Sequence, residues 1–271
     1  MSAKPVTPEE LASEVLDAAA RPWSVRTLVL DLEGALEPTV SALSEEARAA
    51  LGRLARAGWR VGIVSSRAAT DARSRVNVEG VHVFGCHGAE GSWGGRDAGG
   101  PSLGVRKRLQ TLQVEARRLT WYVTGSHVEV KPAGIAFHDQ EIAEGDLLRW
   151  RELVEDLLSK HDLSGLERLE GERVLELRPQ GQHKGRVLHR LPRAPRGAFD
   201  ASLVVVGDDR RDRDLFETLG NRGLSVLVAP DEAPTRAVRR LAGRSEVIRF
   251  LELLAEGEEK RVATPTGPRT L

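Results

Sequence analysis

One cysteine, Cys86, in 271 residues excludes an intrachain disulfide and any zinc site built on several thiolates. That usage fits a reducing compartment, and a cytoplasmic location is expected. Net charge is also missing. The 40 basic residues balance the 40 acidic ones, so no overall field draws the chain to nucleic acid or to an anionic membrane. No apolar run approaches membrane-spanning length, and the N-terminal MSAKPVTPEELASEVLDAA has neither the basic start nor the apolar segment of an export signal. No internal repeat is visible. What is present is enough apolar residue, 40%, to build an ordinary core in one large domain or two modest ones.

The apolar residues fall in a repeating order. Thr7, Pro8 and Glu10 suit the N-cap, N1 and N3 positions of a lead-in helix over residues 7–20, with Leu11, Val15 and Leu16 at helical spacing. RTLVLDLEG reads as a short, doubly buried strand, residues 44–57 carry N-cap and helix signals, and WRVGIVSSR is a second strand. Strand, helix, strand at this spacing marks a parallel sheet with crossover helices, and VHVFGCHG continues it. The same grammar returns in SLVVVGDD, a helix over 212–219, LSVLVAP and a final helix around 247–255.

The middle reads differently. After the Gly-rich GSWGGRDAGGPSLG comes a helix near 105–119, and HVEVKPAGIAFHD and RVLELRP alternate apolar and polar residues as half-exposed antiparallel strands do, with a helix at 145–161 between them. The expected architecture is therefore an α/β core in two pieces, residues 1–103 and 180–271, interrupted by an α+β insertion at 104–179. Residues 1–24 form a lead-in, and the tail 257–271, EGEEKRVATPTGPRTL with its preceding Glu256, reads as flexible.

In an open parallel sheet, ligands sit beyond the carboxyl ends of the strands. Those ends deliver Asp31 and Glu33, then Ser65 and Arg67, then Asp208 and Asp209, while QHKGRVLHRL places Lys184 ahead of a glycine at the start of an expected helix. Converging carboxylates repel one another by several kcal/mol unless a cation neutralises them, and hard oxygen ligands select Mg²⁺. A hydroxyl and an ammonium added to that set suit a phosphoryl group in transfer. Asp31 is then the candidate nucleophile, forming an aspartyl-phosphate, and Glu33 the acid that protonates the leaving oxygen and later activates water.

DLEGAL, VSSR, the Lys184 segment and GDDRRD resemble, in order, the four motifs of the haloacid-dehalogenase-type (HAD) phosphohydrolase superfamily. HGAE, VEVKPAGIAFH, LELRPQGQHKG and GDDRRDRDLF look, more narrowly, like the trehalose-6-phosphate phosphatase family, over about residues 25–255. The resemblance implies a HAD-like Rossmannoid three-layer core with a parallel sheet and an inserted α+β cap that closes over a sugar. It implies Asp31 as nucleophile, Glu33 as acid/base, and Ser65 and Lys184 as phosphate ligands. Asp208, Asp31 and the Glu33 backbone carbonyl would bind Mg²⁺, supported by Asp209 and Asp212. Arg67, His87 and Gly88 fall on the substrate side, and Glu129, Lys131 and Glu176 match the positions that grip disaccharide hydroxyls. A sugar phosphate is the expected partner, and for trehalose 6-phosphate a separate synthase would supply it.

Several positions depart from that pattern. Glu33 stands where the family has Asp, although enolase-phosphatases of the superfamily resemble this chain in having Asp-x-Glu-Gly. Ala35, Ser66, Arg211 and Arg213 replace the usual neighbours, and Asp139 and Gln140 replace an aromatic and basic pair. Two alternatives therefore stand beside trehalose 6-phosphate hydrolysis: a phosphatase for another phosphorylated sugar, and a non-catalytic sugar-phosphate sensor. Glu129, Lys131 and Glu176 also have a plainer reading, as the solvated face of alternating strands.

Overall fold

The computed structural model describes residues 2–36, 42–97, 100–192, 194–208, 212–231 and 234–263. They gather into two compact units, Met1–Ala98 with His183–Leu271, and Gly99–Gln182.

The first unit opens with β1 (Lys4–Pro5) and α1 (Pro8–Ala19). Thr7 starts α1 as a reciprocal cap: its Oγ1 accepts from Glu10 N at 3.1 Å, and Glu10 Oε2 accepts from Thr7 N at 2.9 Å. Next come β2 (Thr27–Asp31), one π-helical turn at Leu32–Leu36, α2 (Glu45–Arg56), β3 (Arg60–Val64), α3 (Ala69–Val76), β4 (His82–Phe84) and the small hairpin β5 (Ser92–Trp93) and β6 (Arg96–Asp97). The second unit holds α4 (Leu103–Leu119), β7 (His127–Lys131), β8 (Gly134–His138), α5 (Leu147–Ser159), β9 (Leu166–Gly171) and β10 (Val174–Pro179). The chain then re-enters the first unit through a 3₁₀ segment, Lys184–Arg190, followed by β11 (Asp200–Gly207), α6 (Arg213–Leu219), β12 (Gly223–Val228), β13 (Arg239–Leu241) and α7 (Arg244–Ala263).

Seven strands form one sheet in the order β1-β13-β12-β11-β2-β3-β4, and every neighbouring pair is parallel. Leu28 and Leu30 of β2 face a core shared with α1, α2 and α7, while Val29 faces the opposite core with Phe84, Trp93 and Phe216. Burial on both faces explains the continuous apolar runs, since a strand covered on one side only would alternate. The sheet lies between two layers, as expected. Its order places β3 on one side of β2 and β11 on the other, so the chain switches direction at β2, the point beyond whose carboxyl end open parallel sheets take their ligands.

Three elements differ from the sequence reading. The final helix runs to Ala263, well into the stretch read as flexible, because its charges are paired: Arg53 holds Glu259 at 2.6 Å, and the fully buried Glu258 accepts from Arg261 at 2.7 Å. Gly257 lies so close to α1 that a Cβ there would come within 2.3 Å of Leu16 Cδ1. Residues 264–271 fall outside the described residues. The Lys184 segment is 3₁₀ rather than α-helical. Strand β9, LERLEG, was not legible because its face is largely exposed and supplies no apolar period.

The second unit pairs β7-β8-β10-β9 throughout in antiparallel fashion. Its core joins Leu109 and Leu112 of α4 and Trp150 and Val154 of α5 to Ile135, Phe137 and Leu177 of the sheet. Among the described residues no helix is long and apolar enough to cross a membrane.

Candidate active site

Asp31 is the last residue of β2 and is fully buried. Its Oδ1 accepts from Lys184 Nζ at 2.5 Å, and its Oδ2 accepts from Gly34 N at 2.6 Å in the π-helical turn that follows. The same buried ammonium reaches Asp212 Oδ1 at 2.8 Å, and Asp212 Oδ2 in turn accepts from Asp208 N at 2.8 Å. One lysine therefore ties the end of β2 to the loop after β11. Both carboxylates crowd Gly34: a Cβ there would lie 2.7 Å from Asp31 Oδ2 and 3.0 Å from both Cγ and Oδ2 of Asp208.

Glu33 occupies the turn itself. The Ser65 hydroxyl, one residue past β3, donates to Glu33 Oε1, and Arg67 Nε lies 3.4 Å from the same oxygen. Glu33 Oε2 is buried with no hydrogen-bond partner among the described residues. The extra methylene of Glu over Asp thus carries the carboxyl across to the end of β3. Burial, and then the negative charge of Asp31, push the Glu33 carboxyl above its ordinary pKa, with Lys184 and the Ser65 hydroxyl opposing. Asp212 is raised well above the ordinary carboxylate range by the same two causes in the same order. Burial works against the Lys184 charge, but Asp31, Asp212 and Glu33 overcome it and hold the ammonium protonated.

Ser65 is fixed through its backbone. Its N–H donates to Phe84 O at 2.9 Å and its carbonyl accepts from His87 N at 3.0 Å. Cys86, His87 and Gly88 all have left-handed backbone, with φ of 47°, 55° and 83°. That tight turn lets Cys86 N reach Arg67 O at 2.6 Å. The structure thus places His87 and Gly88 in the turn that supports Ser65 and Arg67.

In the second unit, Lys131 and Glu176 are buried, which removes their reading as a solvated strand face. Lys131 Nζ donates to Glu176 Oε1 at 2.9 Å and lies 3.7 Å from Glu129 Oε2. Glu129 Oε2 also lies 3.3 Å from His138 Nε2, and hydrogen bonding to His138 holds the Glu129 carboxyl below its ordinary pKa. The departures sort themselves by exposure. Arg213 is 70% exposed and pairs with Glu217 at 3.0 Å, so it faces solvent. Asp139 is buried and held by Arg173 at 2.8 Å, and Gln140 is exposed. Asp209 and Arg211 lie outside the described residues.

A profile of the trehalose-phosphatase family matches residues 29–245, a span that takes in every one of these side chains. The chain belongs to the trehalose-phosphatase family. This is a family of phosphoric monoester hydrolases. Trehalose-phosphate phosphatase B of Arabidopsis thaliana is 29% identical over 270 residues, covering 92% of this chain and 71% of that one. The C-terminal domain of a C. albicans trehalose-6-phosphate phosphatase superposes with a TM-score of 0.70 at 19% identity, covering 94% of this chain and 98% of that one. A phosphatase of the haloalkanoate (HAD) enzyme superfamily from Bacteroides thetaiotaomicron gives 0.53 at 14% identity, over 88% and 97% of the two chains. The trehalose-phosphatase fold is thus the HAD α/β fold with a separate antiparallel sheet, as the motifs implied.

Two contributors gave no sequence signal. Arg244, at the start of α7, donates Nη2 to the Glu33 carbonyl oxygen at 2.9 Å. Trp93 donates Nε1 to Val187 O at 2.9 Å and so anchors the segment carrying Lys184. Both contacts join residues far apart in the chain, where neither spacing nor local pattern can announce them.

Proposed function

We propose that this chain is a Mg²⁺-dependent sugar-phosphate phosphatase whose substrate is trehalose 6-phosphate. The observation that carries the reading is that the Asp31 and Asp208 carboxylates both lie close against Gly34, with the Lys184 ammonium on Asp31.

Among the described residues no three His, Cys, Asp or Glu side chains form a metal cage by themselves. That donor set suits Mg²⁺, which usually keeps several waters and takes only one or two carboxylates. Asp31, Asp208 and the Glu33 carbonyl would hold it, with Asp212 orienting Asp208 through its backbone. Bound there, Mg²⁺ would supply positive charge against the phosphoryl oxygens.

The residues of the chain account for the rest. Lys184 and the Ser65 hydroxyl donate to the phosphoryl oxygens. An Asp31 oxygen attacks phosphorus, the bond from phosphorus to the sugar oxygen breaks, and Glu33 gives its proton to that oxygen. The raised pKa of Glu33 suits this role, because a carboxyl at its ordinary value would rarely hold a proton near neutrality. Glu33 then takes a proton from water, whose oxygen attacks the aspartyl-phosphate and frees both Asp31 and inorganic phosphate. Glu129, Lys131 and Glu176 bind sugar hydroxyls, exchanging their mutual pairing for hydrogen bonds to the substrate.

Phosphate release from trehalose 6-phosphate, with and without Mg²⁺, tests the reading. Release should require the ion, and Asp31→Asn should reduce it by on the order of a thousandfold or more. Release only from a different sugar phosphate would reassign the substrate, and saturable binding without release from any of them would make the protein a sensor.

A further inference from the structure

The turn bearing Glu33 is held from both ends. On the side-chain end, Ser65 and Arg67 fix Oε1. On the backbone end, Arg244 Nη2 donates to the carbonyl oxygen at 2.9 Å, across 211 positions of sequence. Arg244 makes no ion pair among the described residues, and its buried Nε has no acceptor among them. Among the described residues its one directed bond is to this peptide. Its base is firm, because it is the first residue of α7, a helix packed on α1 and α2.

The element it contacts has little regularity of its own. A π-helical turn closes i→i+5 bonds and occurs mostly as single turns, frequently at functional sites. Glu33 also has one more side-chain torsion than an Asp would have at that position. An acid that must reach first the leaving oxygen and then a water tolerates little drift, since about 1 Å of misplacement can cost on the order of a hundredfold in rate.

We propose that Arg244 is a positioning residue for Glu33: by gripping the Glu33 peptide from the start of α7 it holds the longer acid in register with Asp31. The proposal rests on the reading of Glu33 as acid/base. Arg244 touches no reacting atom, and because the carbonyl oxygen it grips is also the one proposed for Mg²⁺, its kinetic effect is read at saturating Mg²⁺. It removes backbone freedom at one end of a side chain whose other end is already held.

The test uses the full chain carrying Arg244→Met, Arg244→Lys and Glu33→Asp, alone and combined. Arg244→Met should lower kcat about 10–100-fold and move KM by no more than about twofold. Arg244→Lys, which keeps a charged donor, should recover most of that loss. In the E33D background, where the acid is shorter, Arg244→Met should cost several-fold less, and that non-additivity is the signature of positioning. Hydrogen exchange supplies a readout that does not depend on turnover: amides of residues 32–36 should exchange faster in R244M, while those of α7 and β2 keep the wild-type rate. Equal rate losses in both backgrounds, or exchange that quickens throughout the first unit, would make Arg244 an ordinary structural residue and overturn the proposal. If the wild type releases phosphate from no sugar phosphate, the proposed function falls. The exchange at residues 32–36 then decides the anchoring by itself, with faster exchange in R244M upholding it and wild-type exchange refuting it.

Discussion

Lys184 and Glu33 show how little of a side chain's behaviour belongs to the side chain. An exposed lysine is a solvated charge, but Lys184 is 3% exposed and stays charged because carboxylates surround it. Glu33 feels the same surroundings with the opposite result. A carboxyl whose pKa is raised in the folded state binds its proton more tightly there than in the unfolded chain. The stability this lends is complete below its ordinary value of 4.5 and is lost as pH rises through the raised folded value. Asp212 follows the same rule from 3.8. Lys184 adds no slope in this window, because its contribution is complete everywhere below 10.5. Carboxyls with lowered pKa, such as Glu129, slope the other way, so the Glu33 share is read by difference. In EDTA, Glu33→Gln should gain thermal stability over the wild type as pH rises from about 4 to about 7.5, and saturating Mg²⁺ should shrink that gain. A difference in unfolding temperature that stays flat with pH would mean that Glu33 ionises normally in the folded protein.

At the scale of an element, the decisive one is the turn at Leu32–Leu36. It bends the chain back at the end of β2, so that Gly34 N can donate to Asp31 while Glu33 crosses to β3. That geometry leaves no room at Gly34, where the nearest atoms belong to Asp31 and Asp208. Gly34→Ala should therefore push the two carboxylates apart. The expected outcome is a loss of roughly a hundredfold in kcat/KM for phosphate release and weaker Mg²⁺ binding by calorimetry, with far-ultraviolet circular dichroism unchanged. The turn was legible only as a glycine ending a strand. Its partners, Ser65 on the carboxyl and Arg244 on the carbonyl, arrive from other parts of the chain.

At the scale of the molecule, the parallel sheet carries the Asp31, Asp208 and Lys184 groups, to which the proposed function assigns the phosphoryl chemistry, and the antiparallel sheet carries a separate charged cluster. Lys131 lies between Glu176 and Glu129, and removing it takes the ammonium from the buried Glu176, while Glu129 keeps His138. For a buried group such as Glu176 that loss costs about 1–3 kcal/mol, or about 5–150-fold in an equilibrium. Lys131→Met should accordingly raise KM for trehalose 6-phosphate by that order. A small aryl phosphate, which has no sugar hydroxyls to grip, should show a much smaller change. Equal losses on both substrates would take Lys131 out of sugar recognition.

The linear chain already spells out the doubly buried strands, their alternation with helices, and the residues at their carboxyl ends. Each of these follows from local periodicity and from the rule that parallel strands present their ends on one side. It therefore named Asp31, Glu33, Ser65, Lys184 and Asp208 as a set. Tertiary structure alone decided the rest. Arg213 turns to solvent because Glu217 lies one helical turn away, Asp139 is spent on Arg173, and the charged end of α7 stays helical because Arg53 meets it there. Arg244 reaches Glu33 from 211 positions away. Pairings of this kind are set by which surfaces the folded chain brings into contact, and linear spacing carries no record of them.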